Sequence, residues 1–163
     1  MMFLLLPFLF MVASANPTTL TVTTTGLDAV VSAVNVVDLY GYEFKLVFDS
    51  AIIEVADIEF TGLNDPSRVF YCEFGENFVH VAVCSLYPNL KGVDGNIALA
   101  TIHFAGQTEF GVSPLQFEMS ILADSDANPI CHGTLANSII LGDNPFIIEK
   151  ALDAENKLVY FMC

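Results

Sequence analysis

The stretch from Val36 to Val55 constrains the fold more than any other part of this 163-residue chain. Large apolar side chains occupy every second position, namely Tyr40, Tyr42, Phe44, Leu46 and Phe48. Glu43, Lys45 and Asp49 lie among the positions between or beside them. A period of two is typical of a β-strand, because successive side chains point to opposite faces of a sheet. We predict that this strand buries its aromatic face against a second sheet and leaves its charged face in water.

The rest of the chain up to residue 142 alternates between β-forming runs and turns. The runs are rich in Val, Ile, Thr, Phe and Tyr, and the turns in Gly, Asn, Asp and Pro. About nine strands result, over residues 18–24, 30–37, 39–48, 53–60, 69–74, 78–84, 97–104, 115–121 and 135–141. No segment before residue 144 has a convincing helical period, which disfavours parallel strands joined by helices. The predicted fold class is all-β, a nine-stranded antiparallel sandwich.

The two ends of the chain differ from this pattern. The first fifteen residues, MMFLLLPFLFMVASA, carry no charged side chain and end in small residues. They predict a secretory signal peptide over residues 1–15, with an uncleaved membrane anchor as the alternative. We expect a secreted protein with one domain over residues 16–143. Residues 144–163 form a C-terminal extension: an element that covers the sandwich, a strand donated to a neighbouring subunit, or the cut end of a longer reading frame.

The charge balance narrows the range of partners. Five Lys or Arg residues stand against nineteen Asp or Glu residues, and the formal net charge is −14. So few fixed cations offer no footprint for a phosphate backbone, and we expect no nucleic-acid partner. The acidity favours solubility, and it also suits a salty habitat or a cationic or calcium-bearing partner, among which composition does not choose.

Four cysteines lie outside the predicted signal peptide: Cys72, Cys84, Cys131 and Cys163. Export permits disulfides, and four cysteines allow three complete pairings, among which sequence alone does not choose. Cys72 and Cys84 lie on neighbouring strand runs, so they either bridge a hairpin or remain buried free thiols. No CxxC pair is present, which disfavours a structural zinc site.

The sequence offers little to support catalysis. His80 and His103 lie within strand runs, where we expect them to be packed or exposed on a sheet rather than to act as bases. Cys131 and His132 are adjacent, so on a strand they point to opposite faces and cannot easily share a metal. No pair of carboxylates is placed across a predicted cleft. We predict that the protein is not an enzyme.

One polar turn resembles the start of a calcium loop. Asp124, Asp126 and Asn128 place oxygen ligands at alternate positions. The Gly and Glu that an EF-hand needs at its sixth and twelfth positions are replaced here by Pro129 and Leu135. The alternative is a solvated turn capped by its own Asp and Asn side chains. We predict no required cofactor and keep calcium as a candidate ligand at this turn.

Aromatic side chains near loops suggest a second type of site. Tyr71, Phe74 and Tyr87 are candidates for stacking against sugar rings, although the chain has no Trp. A carbohydrate-binding module is therefore an alternative hypothesis.

Four motifs, in order along the chain, resemble those of cohesin domains. VNVVDLYGYEF at residues 34–44 and FDSAIIEV at 48–55 resemble the signature strand–turn–strand of the family. GNIALATIHF at 95–104 resembles its "LATITF" strand, and residues 113–115 with 124–130 resemble the strand and turn near its end. The resemblance covers roughly residues 18–142 and is nearest in style to single-cohesin secreted proteins of archaea and bacteria.

The resemblance implies a jelly-roll sandwich related to carbohydrate-binding modules and without enzymatic activity. It also implies that one outward sheet face binds a dockerin, with Glu43 as an acidic contact residue and Lys45 beside it. Gly41 stands where cellulosome cohesins carry a polar side chain. We therefore expect a docking module for another extracellular protein, in assemblies related to polysaccharides. The alternatives are the carbohydrate-binding module and a structural subunit of an extracellular filament that uses its C-terminal strand.

Overall fold

A computed structural model describes residues 16–63, 67–86, 91–142 and 159–162. The predicted signal peptide, Tyr87 and Cys163 lie outside these residues, as does most of the C-terminal extension. The described residues form eleven strands: β1 Thr19–Thr25, β2 Asp28–Leu39, β3 Gly41–Val47, β4 Ile53–Phe60, β5 Ser67–Phe74, β6 Phe78–Ser85, β7 Val93–Gly106, β8 Gly111–Ala123, β9 His132–Leu135, β10 Asn137–Leu141 and β11 Val159–Met162. In these ranges, no helix has the length and apolar character needed to cross a membrane.

The strands form two sheets. The six-stranded sheet has the order β11-β9-β1-β2-β7-β4, and the five-stranded sheet has the order β10-β8-β3-β6-β5. Apolar side chains from both sheets make one core; Val31 and Ile102 come from the first sheet, and Phe44 and Leu115 from the second. The prediction of an all-β sandwich is confirmed.

Strand β3 is as two-faced as its sequence predicts. Tyr42, Phe44 and Leu46 are buried, whereas Glu43 and Lys45 remain partly exposed. The Phe44 ring packs edge-on against Phe117, with ring centroids 6.1 Å apart. Each buried side chain of this size contributes about 2 kcal/mol of transfer free energy, and a register shift of one residue would bury the two charges instead. The register of β3 is therefore strongly specified.

Two buried polar contacts join the sheets across the core. The Tyr42 hydroxyl of β3 donates a hydrogen bond of 2.8 Å to the Leu99 carbonyl of β7. Ser120 Oγ of β8 lies 2.8 Å from His132 Nε2 of β9, and His132 Nδ1 donates to the Ile130 carbonyl, also at 2.8 Å. Each ring nitrogen of His132 therefore has a partner, as a buried polar group requires.

The last predicted strand proves to be two strands. The run predicted over residues 135–141 divides at Ala136, where the chain steps from the six-stranded sheet into the five-stranded one. In addition, β9 pairs in parallel with β1, so the sandwich is not purely antiparallel. The sequence of this run does not reveal which neighbour each part pairs with, because the partner strands β1 and β8 lie elsewhere in the chain.

The C-terminal strand lies on the edge of its own sheet. β11 pairs antiparallel with β9 and forms the outermost strand of the six-stranded sheet. Residues 143–158 lie outside the described residues, so the three interpretations of the extension stay predictions.

The cysteines divide into bonded and free residues. Cys131 is disulfide-bonded, whereas Cys72 and Cys84 are free. A bridge between Cys72 and Cys84 across the hairpin is wrong, because the register pairs Cys84 with Arg68 and Cys72 with Val81. Cys72 is also exposed rather than buried. Partial burial raises the pKa of both thiols, which lowers their reactivity.

Candidate docking face

The outward side of the five-stranded sheet carries a connected group of side chains, here called the polar face. It consists of Glu43 and Lys45 on β3, Tyr71 and Glu73 on β5, Phe78 and His80 on β6, and Glu118 and Ile121 on β8. These strands are neighbours in the order β8-β3-β6-β5. On β3 and β6, and beside Ile121 on β8, the residues that alternate with these side chains are buried, which leaves the side chains of the polar face on the outward side of the sheet.

One part of the polar face centres on His80. Its Nε2 atom lies 2.8 Å from Glu43 Oε1, which links β6 to β3. The Tyr71 ring meets the His80 ring edge-on, with centroids 4.8 Å apart, and extends the contact to β5. The Tyr71 hydroxyl donates a hydrogen bond to the Glu73 carboxylate, and this bond raises the pKa of Tyr71. Four side chains thus hold one another in place across three strands.

The other part centres on Lys45. Its Nζ atom lies 2.6 Å from Glu118 Oε2 on β8 and 4.5 Å from the centroid of the Phe78 ring on β6. Exposed ion pairs add only about 0–1 kcal/mol to stability, so the main effect of this arrangement is to fix the position of the Lys45 charge. The cation–π contact with Phe78 also fixes the position of the Lys45 ammonium.

Apolar side chains lie directly beside the charges. Ile121 is the register partner of Glu43, and Met119 is the partner of Lys45. Ile121 keeps 45% of its surface exposed. Protein-binding surfaces combine an apolar centre with a polar rim, and an exposed Ile121 among charged side chains is compatible with that composition.

Gly41 lies at one end of the polar face. Its register partners are Cys84 and Ala123, so this row contains only small side chains. A Cβ atom at Gly41 would lie 3.4 Å from the Val83 carbonyl oxygen and 3.5 Å from Cys84 Sγ. The structure thus places Glu43 and Lys45 together on one accessible face, whereas Gly41, at its end, is buried.

Several members of the polar face were not predicted as site residues. Phe78 and His80 could have been found, because Val79, Val81 and Val83 are buried and the intervening positions must point outward. The contacts to Glu118 could not, because they depend on β8 pairing with β3, about 75 residues earlier in the chain.

The predicted sugar-stacking residues do not share one face. Tyr71 is the register partner of outward-facing Ala82, whereas Phe74 is the partner of buried Val79. Their rings therefore lie on opposite sides of β5. Tyr87, the third candidate, lies outside the described residues.

The polar turn after β8 is held by its own hydrogen bonds. Asp124 Oδ1 accepts from the backbone N–H groups of Asp126 and Asn128, at 3.0 and 2.8 Å. Asp124 Oδ2 accepts from Asn128 Nδ2 at 3.2 Å. Across the described ranges, no group of three or more His, Cys, Asp or Glu side chains is placed to hold a metal ion. Calcium at this turn stays a prediction.

Comparison with solved structures identifies the fold. A non-cellulosomal cohesin from the archaeon Archaeoglobus fulgidus matches with a TM-score of 0.66 at 18% sequence identity, over 87% of this chain and 100% of that one. This chain has the cohesin fold. A type I cohesin in a Clostridium thermocellum cohesin–dockerin complex matches at 0.64 and 17% identity, over 78% of this chain and 100% of that one.

A type II cohesin from the Acetivibrio cellulolyticus cellulosome has the same cohesin fold, with a TM-score of 0.61 and 11% identity, over 83% of this chain and 99% of that one. No family model matches the sequence, and no curated protein matches it. The resemblance to cohesins seen in the sequence is therefore confirmed as a likeness of fold.

Proposed function

We propose that this protein is a secreted, non-catalytic docking module whose polar face binds a dockerin-type protein. The observation that carries the proposal is the set of side-chain contacts that joins β8, β3, β6 and β5 on one outward surface. A surface whose side chains already hold one another loses little conformational entropy on binding. The proposal is also supported by two cohesins of this fold whose structures are described as complexes with dockerins.

The charges of the polar face define the chemistry of the partner. Glu43, Glu73 and Glu118 give three carboxylates, against one Lys45 ammonium that is already paired with Glu118. The whole chain adds a net charge of −14. We expect the partner to present Lys or Arg toward Glu43 and an apolar side chain toward Ile121. Complementary charge raises the association rate and fixes the register of docking.

A non-catalytic role is supported by the surroundings of Ser120 and His132. This pair most resembles a nucleophile with its base, because Ser120 Oγ lies 2.8 Å from His132 Nε2. Both residues are buried between the sheets, and His132 Nδ1 is held by the Ile130 carbonyl rather than by a carboxylate. We interpret the pair as a structural contact.

Secretion is supported by the N-terminal pattern and by the disulfide at Cys131, since disulfides persist in oxidising compartments. A role in polysaccharide-related assemblies rests on relatives by fold such as the cellulosomal type II cohesin.

The test is a titration of residues 16–163 against purified type I and type II dockerin modules by isothermal calorimetry. Glu43→Lys should weaken binding at least about thirtyfold, since it reverses a charge at the centre of the contact. Glu59→Lys is the matched control, because Glu59 is exposed on β4 of the other sheet. The proposal fails if no dockerin binds the unmodified protein, or if both variants bind equally well.

A further inference from the structure

His80 differs from the charged members of the polar face in how it responds to pH. Histidine ordinarily changes its charge between pH 5 and 8, whereas Glu and Lys keep theirs throughout that range. His80 lies on β6, between β3 and β5, near the middle of the face. Its side chain is 23% exposed, so water reaches the ring. The folded protein can therefore change its charge at this position.

Charged and polar groups surround His80 from both neighbouring strands. Its register partners are Lys45 on β3 and Glu73 on β5. Glu43 Oε1 lies 2.8 Å from its Nε2 atom, and the Tyr71 ring packs edge-on against its ring. Among the described residues, the groups that face His80 are thus two carboxylates, one ammonium and one phenol. The ammonium is already paired with a carboxylate of β8, and Glu43 is the carboxylate bonded to the ring.

The contact with Glu43 fixes where the ring carries its proton. An ionised carboxylate only accepts hydrogen bonds, so the hydrogen of this contact belongs to His80 Nε2. The neutral ring then has no hydrogen on Nδ1, and Nδ1 makes no hydrogen bond to any described residue. A second proton therefore goes to Nδ1. Once it is there, the same contact becomes an ion pair between an imidazolium and the Glu43 carboxylate.

This proton changes what the polar face offers a partner. With His80 neutral, three carboxylates and one ammonium give the face a net charge of −2, from Glu43, Glu73, Glu118 and Lys45. With His80 charged, the net charge is −1, and the ring beside Glu43 balances the charge of that carboxylate. A Lys or Arg of the partner would then meet a balanced ion pair instead of a single carboxylate.

We propose that His80 sets the pH range of docking: the polar face binds a cationic surface tightly while His80 is neutral and weakly once the ring takes up a proton. This inference rests on the docking function proposed above, in which the partner presents Lys or Arg toward Glu43. A cation held beside Glu43 disfavours the imidazolium, so by linkage docking expels a proton into solvent.

The size of the effect follows from the repulsion between the imidazolium and the cation of the partner. Two like charges about 6 Å apart, at an effective dielectric constant of about 40, change each other's equilibria by about tenfold. We therefore expect the dissociation constant to rise about five- to tenfold when His80 becomes charged.

The test titrates residues 16–163 with purified type I and type II dockerin modules by calorimetry, at about pH 8 and about pH 5.5. Over this range an ordinary histidine becomes mostly charged, whereas ordinary carboxylates stay ionised. Binding should be about five- to tenfold weaker at the lower pH. A second series at about pH 6.5, in two buffers with different heats of ionisation, counts the protons exchanged. Docking should release a fraction of one proton.

Two variants separate His80 from general effects of pH. His80→Gln keeps an amide N–H for Glu43 but does not titrate, so its affinities at the two pH values should differ by less than about twofold and the proton release should vanish. His103→Gln is the matched control, because His103 Nδ1 also lies 2.7 Å from a carboxylate, that of Asp28, on the other sheet. It should keep the full response to pH. Circular dichroism establishes that each variant is folded.

The outcomes distinguish this inference from the docking proposal. Titration of the dockerin itself is common to all three proteins and cancels in the comparison. An equal response to pH in His80→Gln and in the unmodified protein overturns the role of His80 and leaves the docking function standing, as does tighter binding at pH 5.5. A protein that binds no dockerin at pH 8 overturns the docking function, and this inference with it.

Discussion

The buried hydroxyl of Tyr42 allows a quantitative test of how the two sheets are joined. Tyr42→Phe removes the hydrogen bond of 2.8 Å to the Leu99 carbonyl and leaves the ring in place. That carbonyl also accepts a bond of 3.0 Å from the Thr61 N–H, so it keeps one partner in the variant. The loss should therefore be that of one net hydrogen bond, about 1 kcal/mol, rather than that of an orphaned carbonyl, which costs up to about 3 kcal/mol.

Urea unfolding, followed by circular dichroism, measures this loss, and a thermal midpoint lower by roughly 2–6 °C should accompany it. Tyr40→Phe is the matched control, since the Tyr40 hydroxyl has no hydrogen bond within the described residues. A loss of about 3 kcal/mol or more would mean that Thr61 does not support the carbonyl. A loss no larger than that of the control would mean that the hydroxyl does not join the sheets.

The same residue predicts a dependence on alkaline pH. Burial raises the pKa of Tyr42 well above its usual range. The unfolded chain therefore releases this proton at a lower pH than the folded one, and the stability that Tyr42 contributes falls as pH rises above about 10. Tyr42→Phe should show a shallower loss of stability between pH 10 and 11, measured by urea unfolding at each pH.

Three further predictions concern other contacts. Ser120→Ala should destabilise the fold by about 1–3 kcal/mol in urea unfolding, because it leaves His132 Nε2 buried without its partner; no measurable loss would contradict the contact. The hydrogen bond to Asp28 raises the pKa of His103 in the folded protein. The stability that this contact adds is therefore fully present below the ordinary histidine pKa, and it is lost as the pH rises through the raised pKa of His103. Proton NMR titration should show a lower His103 pKa in Asp28→Asn, and an unchanged value would refute this cause. Gly62→Ala should destabilise by more than about 1 kcal/mol in urea, because φ at Gly62 is +90° and a Cβ atom would lie 2.1 Å from a backbone carbonyl oxygen of β7; a stability equal to that of the unmodified protein would contradict the close approach.

The alternation of side chains predicted most of the sandwich. In β3 the apolar and charged positions are so clearly separated that only one register buries Phe44 and exposes Glu43 and Lys45. The same rule places Phe78 and His80 outward on β6. Such local patterns show which face of a strand is buried, and they need no knowledge of neighbouring strands.

Properties that depend on pairing between distant strands could not be predicted from the sequence. The division of the last predicted run at Ala136 follows from β9 pairing with β1, more than 100 residues earlier. The two free cysteines miss each other because of the register between β5 and β6. The exposure of Phe74 depends on how far apart two edge strands lie, which no single strand encodes. The sequence therefore places the candidate docking residues on β3 alone, whereas the polar face extends over β8, β3, β6 and β5.

The parallel pairing of β1 with β9 also affects the order of events during synthesis. The first strand of the domain receives its neighbour on that side only after residues 133–135 have been made. Until then, the ribosome holds a nascent chain in which one border of β1 has unpaired N–H and C=O groups. Threonines alternate with the buried Leu20 and Val22 of β1, so the outward face of this strand is polar while its border is unpaired. A released chain that ends before residue 133 should therefore be more sensitive to proteases than one that ends just after Leu135.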